Sequence, residues 1–502
     1  MKSSSQLALV AAAGLFVGGV AMPSAKAADL GGDCCADLEE RVAELEATTA
    51  RKGNRKMSLT VTGQVNRIVT WYDDSKTSTA YYGLDNTNSS SRFIFNGSAK
   101  VTPKVSMGFE IMIEIEAGGT SSKVSQFDED GKLASFIGNV NIPGGAVGVP
   151  SFNAHNTDAY FGDARRAAWW IEHEDLGRLT VGRYDAAGVY ATVDISGGDI
   201  SLPASNSFIL LNGGYFLRGP TGQVYTMTWS SIGDPASASS GRTEGVRYDS
   251  PDWHGFIYAA TIGEAGDYWT THLRYAGEFN GFRLAGVLGY ERVTDIASPA
   301  IIDPANAAYT GAKPNITVWG IALSAKHVPT GLFVQGHYNA ADYGGKDIGA
   351  ASGYWGESTV NKKPTEQWMI QAGWSKNVFG YGNTTAYGEY GVATDWGADI
   401  TCGSTGSQCG GSTAGATGAN AIGRNYAAPS NTSGFTAVSG VTSSEMTMWG
   451  LGVTQVFDAA ATTVYLGYRH FDADVKCTDK VGAGTCTGGV AAGGAFTINK
   501  LA

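Results

Sequence analysis

The sequence predicts an all-β protein: a transmembrane antiparallel β-barrel of sixteen strands, the last one incomplete, preceded by a short N-terminal helix. Three observations carry that reading. From Met57 onward apolar and polar residues alternate with a period of two. The alternating runs extend over about 10 to 13 residues, twice the usual strand of about 5 or 6. The connections between runs alternate between tight turns and long polar stretches. The composition agrees. The chain has 502 residues with 70 Gly, 12 Trp, 23 Tyr and 19 Phe, and only 16% are charged. Gly alone is present at about twice its ordinary share.

Other classes are excluded on the same grounds. Beyond the first two dozen residues no stretch approaches the roughly 20 apolar residues of a membrane-spanning helix. The aromatic content is far too high for a disordered chain. With 35 Lys and Arg against 46 Asp and Glu, the net charge is −11, so no nucleic-acid partner is expected.

Residues 1–27 open with Lys2, run apolar from Leu7 to Met22 and close on Ala25, Lys26 and Ala27. A charged start, an apolar run and a small-residue end describe a secretory signal peptide, with a membrane anchor as the rival. Residues 28–56 then form a periplasmic segment. Leu38, Val42 and Leu45 stand at spacings of four and three with charges between them, a short coiled-coil-like helix. Fewer than two heptads are too little to associate alone. The seam needs something larger to hold several copies together; otherwise the segment is a solvated stub. Arg51, Lys52, Arg55 and Lys56 follow, facing lipid headgroups or water.

The barrel occupies 57–502. In its first strands Leu59, Val61 and Val65 alternate with Thr60, Thr62 and Gln64, and Phe93, Phe95 and Val101 alternate with Arg92, Asn96 and Lys100. After the turn at Thr102-Pro103-Lys104, Met107, Phe109, Ile111 and Ile113 alternate with Gly108, Glu110, Met112 and Glu114. One apolar and one polar face per strand suits a barrel with lipid outside and a wet lumen. Strands are placed at 57–71, 91–101, 105–117, 158–173, 178–184, 242–250, 254–263, 268–277, 282–293, 315–327, 331–340, 366–377, 382–393, 444–457 and 462–472. Long stretches fall near 72–90, 118–157, 185–240, 294–314, 341–364, 394–442 and 473–494. Single-chain bacterial barrels have even strand numbers. Only 495–502 is left for a closing strand, too short to span and ending in Ala502.

Export implies an oxidising compartment. Cys402/Cys409 and Cys477/Cys486 would each close a small loop in Gly-, Ser- and Thr-rich sequence and are expected as disulfides. A zinc site is the rival, but no histidine lies near either pair. Cys34 and Cys35 are adjacent, a strained arrangement for a disulfide within one chain, and could link neighbouring chains instead.

Three stretches carry a family resemblance: Leu176-Gly177-Arg178-Leu179-Thr180-Val181-Gly182-Arg183, Val246-Arg247-Tyr248-Asp249-Ser250-Pro251, and Leu273-Arg274-Tyr275-Ala276-Gly277-Glu278-Phe279-Asn280-Gly281-Phe282-Arg283. They resemble the general porins of alphaproteobacteria, in particular the rhizobial type. The likeness extends over most of 57–472. It implies a homotrimeric, sixteen-stranded passive channel in the outer membrane of a Gram-negative bacterium, in contact with lipid and lipopolysaccharide. Its third external loop would fold inward, near 185–240. The expected cargo is ions and small hydrophilic solutes. Porins of this type normally end on an aromatic residue, and Ala502 does not match. The cysteine and heptad segment belongs only to part of the family.

By position, Asp185, Asp194 and Asp199 fall in the family's constriction loop. Polar-face parity turns Arg92, Arg166, Arg247, Arg274, Arg283 and Arg469 toward the lumen, with rim positions as the alternative, while Glu110 and Glu114 supply an acidic wall. Inward arginines need water, because one facing lipid at the midplane costs about 2–4 kcal/mol. A basic wall facing an acidic loop would tune ion preference. Trp169, Trp269, Trp319, Trp374 and Trp449 near strand ends fit interfacial girdles. No catalytic motif occurs. The seven histidines lack metal-ligand spacing, and no metal or cofactor is expected. The rivals to a general pore are a sugar-type selective channel, a structural or adhesive barrel with a plugged lumen, and catalysis from loop residues.

Overall fold

The computed structural model describes residues 57–76, 78–115, 120–122, 124, 164–188, 194–196, 199–204, 210–219, 224–233, 241–263, 266, 268–294, 314–345, 364–396, 424–426, 435–436, 438–477 and 495–501. In chain order the strands begin β1 (Ser58–Gln64), β2 (Arg67–Asp73), β3 (Ser78–Asp85), β4 (Arg92–Thr102), β5 (Val105–Glu114), β6 (Ala164–His173), β7 (Gly177–Asp185), β8 (Phe216–Arg218) and β9 (Val224–Thr228). A single helical turn, α1 (Trp229–Ile232), follows β9. Next come β10 (Arg242–Asp249), β11 (Phe256–Gly263), β12 (Tyr268–Phe279), β13 (Phe282–Val293), β14 (Pro314–His327), β15 (Leu332–Gly345), β16 (Thr365–Lys376) and β17 (Thr384–Thr394). The last are β18 (Arg424–Tyr426), β19 (Phe435–Thr436), β20 (Val438–Phe457), β21 (Thr462–Cys477) and β22 (Ala495–Leu501).

One antiparallel series makes the wall: β1-β4-β5-β6-β7-β10-β11-β12-β13-β14-β15-β16-β17-β20-β21-β22. Its order is the one the two-residue rhythm predicts. Tight turns set the register. At β12–β13, Asn280 and Gly281 take positive φ values of 51° and 79°, the pair that a two-residue type I′ hairpin turn requires. Phe279 is thereby opposite Phe282, and the ladder runs without a slip to Tyr268 opposite Val293.

Burial along the wall is inverted relative to a water-soluble protein. Outward positions are apolar and exposed, as at Leu323 (61%) and Leu466 (74%), while inward Gln335, Gln371 and Thr385 are buried. Such a sheet belongs in lipid on its outer side. Four outward pairs join neighbouring strands: Trp269–Tyr290, Trp319–Tyr338, Trp368–Tyr390 and Trp449–Tyr468, with ring centroids 5.1, 5.2, 5.5 and 5.4 Å apart. These pairs stand where an aromatic belt meets the interface. Trp374 sits at the opposite rim, donating to Thr330 O at 2.8 Å.

The ends of the series approach each other. Tyr465 of β21 donates to Asn66 Oδ1, just past β1, at 2.6 Å. Among the described residues no ladder joins β1 to β21 or β22. β22 pairs with the Phe471–Lys476 half of β21 and, at Asn499, with Arg218 of β8.

Two expectations are corrected. The first strand does not run to residue 71. It leaves the wall after Gln64, whose side chain donates to Ser89 O and Ser90 O, and Asn66 fixes the departure by donating through Nδ2 to Ser89 O at 2.9 Å. Residues 67–85 become a separate hairpin, β2–β3. Nor are 72–90 and 185–240 free of regular structure. The second contains the β8–β9 hairpin and α1, and β9 also pairs with β19 in parallel.

Both inserts are built into one apolar cluster. Ile68, Tyr72 and Leu84 from one, and Leu217, Met227 and Trp229 from the other, pack on Met369, Met446, Met448, Phe471 and Val475 of the wall. Tyr72 stacks on Tyr215 at 3.6 Å, and Arg218 pairs with buried Asp74 at 2.6 Å. The cluster plugs the end of the lumen nearest the long connections, on the β16–β21 side.

The segment 1–56, with Leu38, Val42, Leu45, Cys34 and Cys35, lies outside the described residues, as do Cys402, Cys409 and Cys486. The backbone of Cys477 closes β21.

Leu288 projects outward near the middle of β13. We expect Leu288→Arg to destabilise the folded protein in bilayers by about 2–4 kcal/mol, read from urea unfolding.

Candidate functional site

The side chains lining the lumen fall into two arcs. One is formed by β4, β5, β6, β7, β10 and β12. Register places Arg92 opposite Glu114, Met112 opposite Arg166, and Asp185 opposite Arg242, all near the long connections. Arg166 donates to Glu110 at 2.8 Å and also holds Asp185, and Arg165 holds Glu114. Arg247 forks onto Asp249 at 2.8 and 2.7 Å, the bidentate geometry for which guanidinium is suited. Arg274 lies 3.6 Å from the same carboxylate. The Tyr184 ring sits 5.0 Å from Arg166 and 5.8 Å from Arg247.

Two arginines of this arc stand apart. Arg92 donates to Ser90 O at 2.9 Å and to Ser89 Oγ at 3.0 Å. Among the described residues neither Arg92 nor Arg242 has a carboxylate ion-pair partner.

The second arc, β15, β16, β17, β20 and β21, is sealed. A chain of amides and charges crosses it. Ile195 N donates to Gln335 Oε1 at 2.9 Å, Gln335 Nε2 to Gln371 Oε1 at 2.9 Å, and Gln371 Nε2 to Glu389 Oε2 at 3.0 Å. Arg469 closes the chain with a fork onto Glu389 at 2.7 and 3.0 Å. Residues 194–196 and 199–204 cover this network, with Ile195, Ile200 and Ala204 packed on Phe333 and Tyr387. Tyr387 fits because its hydroxyl lies against Gly452, where a Cβ would fall 2.4 Å away.

The carboxylates of that inner segment have local partners. Asp194 accepts from the amides of Ser196, Ile200 and Ser201 at 2.9, 3.0 and 2.8 Å, the way a short polar side chain fixes a turn. Asp199 accepts from Thr385 Oγ1 at 2.8 Å and Ser375 Oγ at 3.4 Å. Burial pushes its carboxyl up to about 6, the Thr385 hydrogen bond opposing and the Asp194 carboxylate reinforcing the shift.

The amino-acid sequence matches the Gram-negative porin family over residues 8–500. The chain belongs to the Gram-negative porin family. It is therefore an outer-membrane protein that forms a passive channel. Solved structures similar to this porin include OmpT of Vibrio cholerae in its trimer form. That match has TM-score 0.41 and 12% identity, covering 89% of this chain and 97% of the other. Another is the outer membrane channel DcaP of Acinetobacter baumannii, with TM-score 0.36, 10% identity, and coverage of 90% and 97%. A third is Salmonella typhi OmpF in complex with daunomycin, with TM-score 0.34, 10% identity, and coverage of 82% and 97%. Among curated proteins none matches the chain.

In this porin the structure brings Arg92, Arg166, Arg247, Arg274, Glu110, Glu114 and Asp185 to one arc. It separates the others. Arg469 belongs to the sealed arc, and Arg283 sits at the short-turn rim, 3.4 Å from exposed Glu278. The expected field between a basic wall and acidic loop is differently built here: the arginines pair within their own wall, and Asp194 and Asp199 are bonded to the inner segment and the opposite wall. Glu389, Gln335, Gln371, Arg165 and Arg242 were not anticipated. The inward parity of Glu389 opposite an outward Tyr390 carried a legible signal. Arg165 and Arg242 have outward parity in the regular alternation, so their pattern gave none.

Glu389 and Arg469 are both buried. Glu389→Gln leaves a buried guanidinium without its counter-charge, and we expect a loss of about 3–5 kcal/mol, measured by unfolding in detergent. Asp199 has a second consequence. Because its folded pKa is raised, the folded state holds that proton more tightly than the unfolded chain does. Its stabilising contribution is present at low pH and lost as pH rises through about 6. Unfolding midpoints measured between about pH 4 and pH 7 should show this slope in the wild type and a flatter one in Asp199→Asn.

Proposed function

We propose that this porin is a general diffusion channel for ions and small hydrophilic solutes, working as a homotrimer in contact with lipid and lipopolysaccharide. The observation that supports it is the inversion of burial round the wall. Apolar side chains face out through the wall strands from β1 to β21, and ionised side chains with partial exposure line one arc of the interior. Charged groups so placed need water beside them, and a water-filled lumen admits solutes by diffusion. Asp185, Glu110 and Glu114 with Arg92, Arg166, Arg247 and Arg274 are the groups a solute meets, and Asp194 and Asp199 shape the inner segment. The quoted stretches around Arg183, Asp249 and Arg274 favour an alphaproteobacterial, rhizobial-type member. The Leu38, Val42 and Leu45 seam favours three copies on one axis, with residues 1–27 removed on export.

A second reading has one observation in its favour. The apolar cluster of the two inward inserts blocks part of the lumen, as a structural barrel with a plugged interior would require.

Purified protein added to planar bilayers separates them. A diffusion channel gives stepwise conductance, in groups of three for a trimer, and lets uncharged sugars swell loaded liposomes at rates that fall with sugar size. A plugged barrel passes neither current nor sugar. Saturable block by one sugar would favour a selective channel.

A further inference from the structure

The two arcs differ in more than sequence. On β15 to β21 the inward side chains are covered twice: by residues 194–196 and 199–204 toward the short turns, and by the β2–β3, β8–β9 and α1 cluster toward the long connections. Thr385, Met446 and Met448 are fully buried there. On β4 to β12, Arg166 and Arg247 are buried, but Arg165, Glu114 and Arg274 keep partial exposure, at 21%, 14% and 30%. The room left for a solute is thus off-axis, against the arginine arc.

The charge of that arc is unequal. Seven arginines (Arg92, Arg165, Arg166, Arg178, Arg242, Arg247 and Arg274) meet five carboxylates, Glu110, Glu114, Glu172, Asp185 and Asp249. The surplus resides in Arg92 and Arg242, which have no ion-pair partner among the described residues. The carboxylates that could offset it, Asp194 and Asp199, are engaged at the sealed side. Local surplus charge at low-dielectric walls, rather than net charge, sets the potential a solute meets.

We propose that this porin carries its solutes along the arginine arc and prefers small anions, of the carboxylate and phosphate type, to cations, although the whole chain is acidic. The proposal deepens the diffusion-channel reading and rests on it. Arg92 and Arg242 near the long connections receive the anion, and Arg247 and Arg274, sharing Asp249, pass it inward. The sealed arc takes no part in transport.

The full chain in planar bilayers tests this by its reversal potential in a KCl gradient. The expected sign is that of chloride preference. Arg92→Gln with Arg242→Gln should lower the chloride-to-potassium permeability ratio about threefold, with open channels and unchanged heat-modifiable migration. Sodium succinate and sodium phosphate in place of KCl should keep the anion sign. Asn96→Cys, on the arginine arc, should let a sulfonated thiol reagent reduce the current; Gln367→Cys, on the sealed arc, should respond no more than the wild type. Open channels with a potassium-preferring reversal potential would overturn the proposal. So would an unshifted ratio in the double variant, or current block at Gln367→Cys but not Asn96→Cys. Absence of any conductance would overturn the diffusion-channel reading beneath it, a different failure.

Discussion

Everything in this molecule follows from the demand that lipid makes on a backbone. No water is available in the hydrocarbon layer, so each N–H and C=O there must find a partner within the protein. An antiparallel series in which every strand pairs with the next meets that demand, and the period-two geometry of a strand then fixes the rest. One set of side chains faces lipid and the other faces the interior. The exposed leucines, valines and paired Trp and Tyr rings are the outward consequence; the amides, hydroxyls and guanidiniums are the inward one. A surface that would be an aggregation hazard in water is here the surface that anchors the protein.

The interior is where this porin becomes particular. A lumen lined only by polar residues would be uniformly wet. Here the long-connection ends of β16, β17, β20 and β21 present Met369, Met446, Met448, Phe471 and Val475 inward, and inserted hairpins cover them. Below that cluster, the chain from Ile195 through Gln335, Gln371 and Glu389 to Arg469 ties the inner segment to the wall by consecutive hydrogen bonds. Fully satisfied buried networks of this kind hold a loop in one place. The inner segment is thereby a fixed part of the wall, and the charge that remains in contact with the open space is that of the opposite arc.

The wall was legible because its signal is local. Alternation marks each strand, and Asn280-Gly281 marks a turn whose positive φ values few other pairs adopt. Parity likewise turned Arg166 and Arg247 to the correct side. The departures come where long-range contacts overrule the local pattern. Residues 67–71 alternate as well as 57–64 do, yet Asn66 and Gln64 divert them into a hairpin of their own. Asp194 and Asp199 stood in the expected segment, but only tertiary structure shows that backbone amides and Thr385 occupy their oxygens. β21 carries a local clue to the plug. The inward positions of β21 change from Thr463, Tyr465 and Arg469 to Phe471, Ala473 and Val475, while the outward positions there become His470, Asp472 and Asp474, so the apolar face of the strand switches to the inside at one end. An apolar face turned inward must be covered from within the lumen.

The plug's own connectivity imposes an order on biogenesis. Its two inserts are encoded among the early wall strands, yet the seat they pack upon is made by the late ones, about 140 to 400 residues downstream in contacts of high sequence separation. Until β20 and β21 arrive, Tyr72, Tyr215 and Trp229 have no partner surface, and a half-finished cylinder presents them bare. The hairpins must already be inside when β20 and β21 complete the seat, so assembly is a packing problem as much as an insertion one.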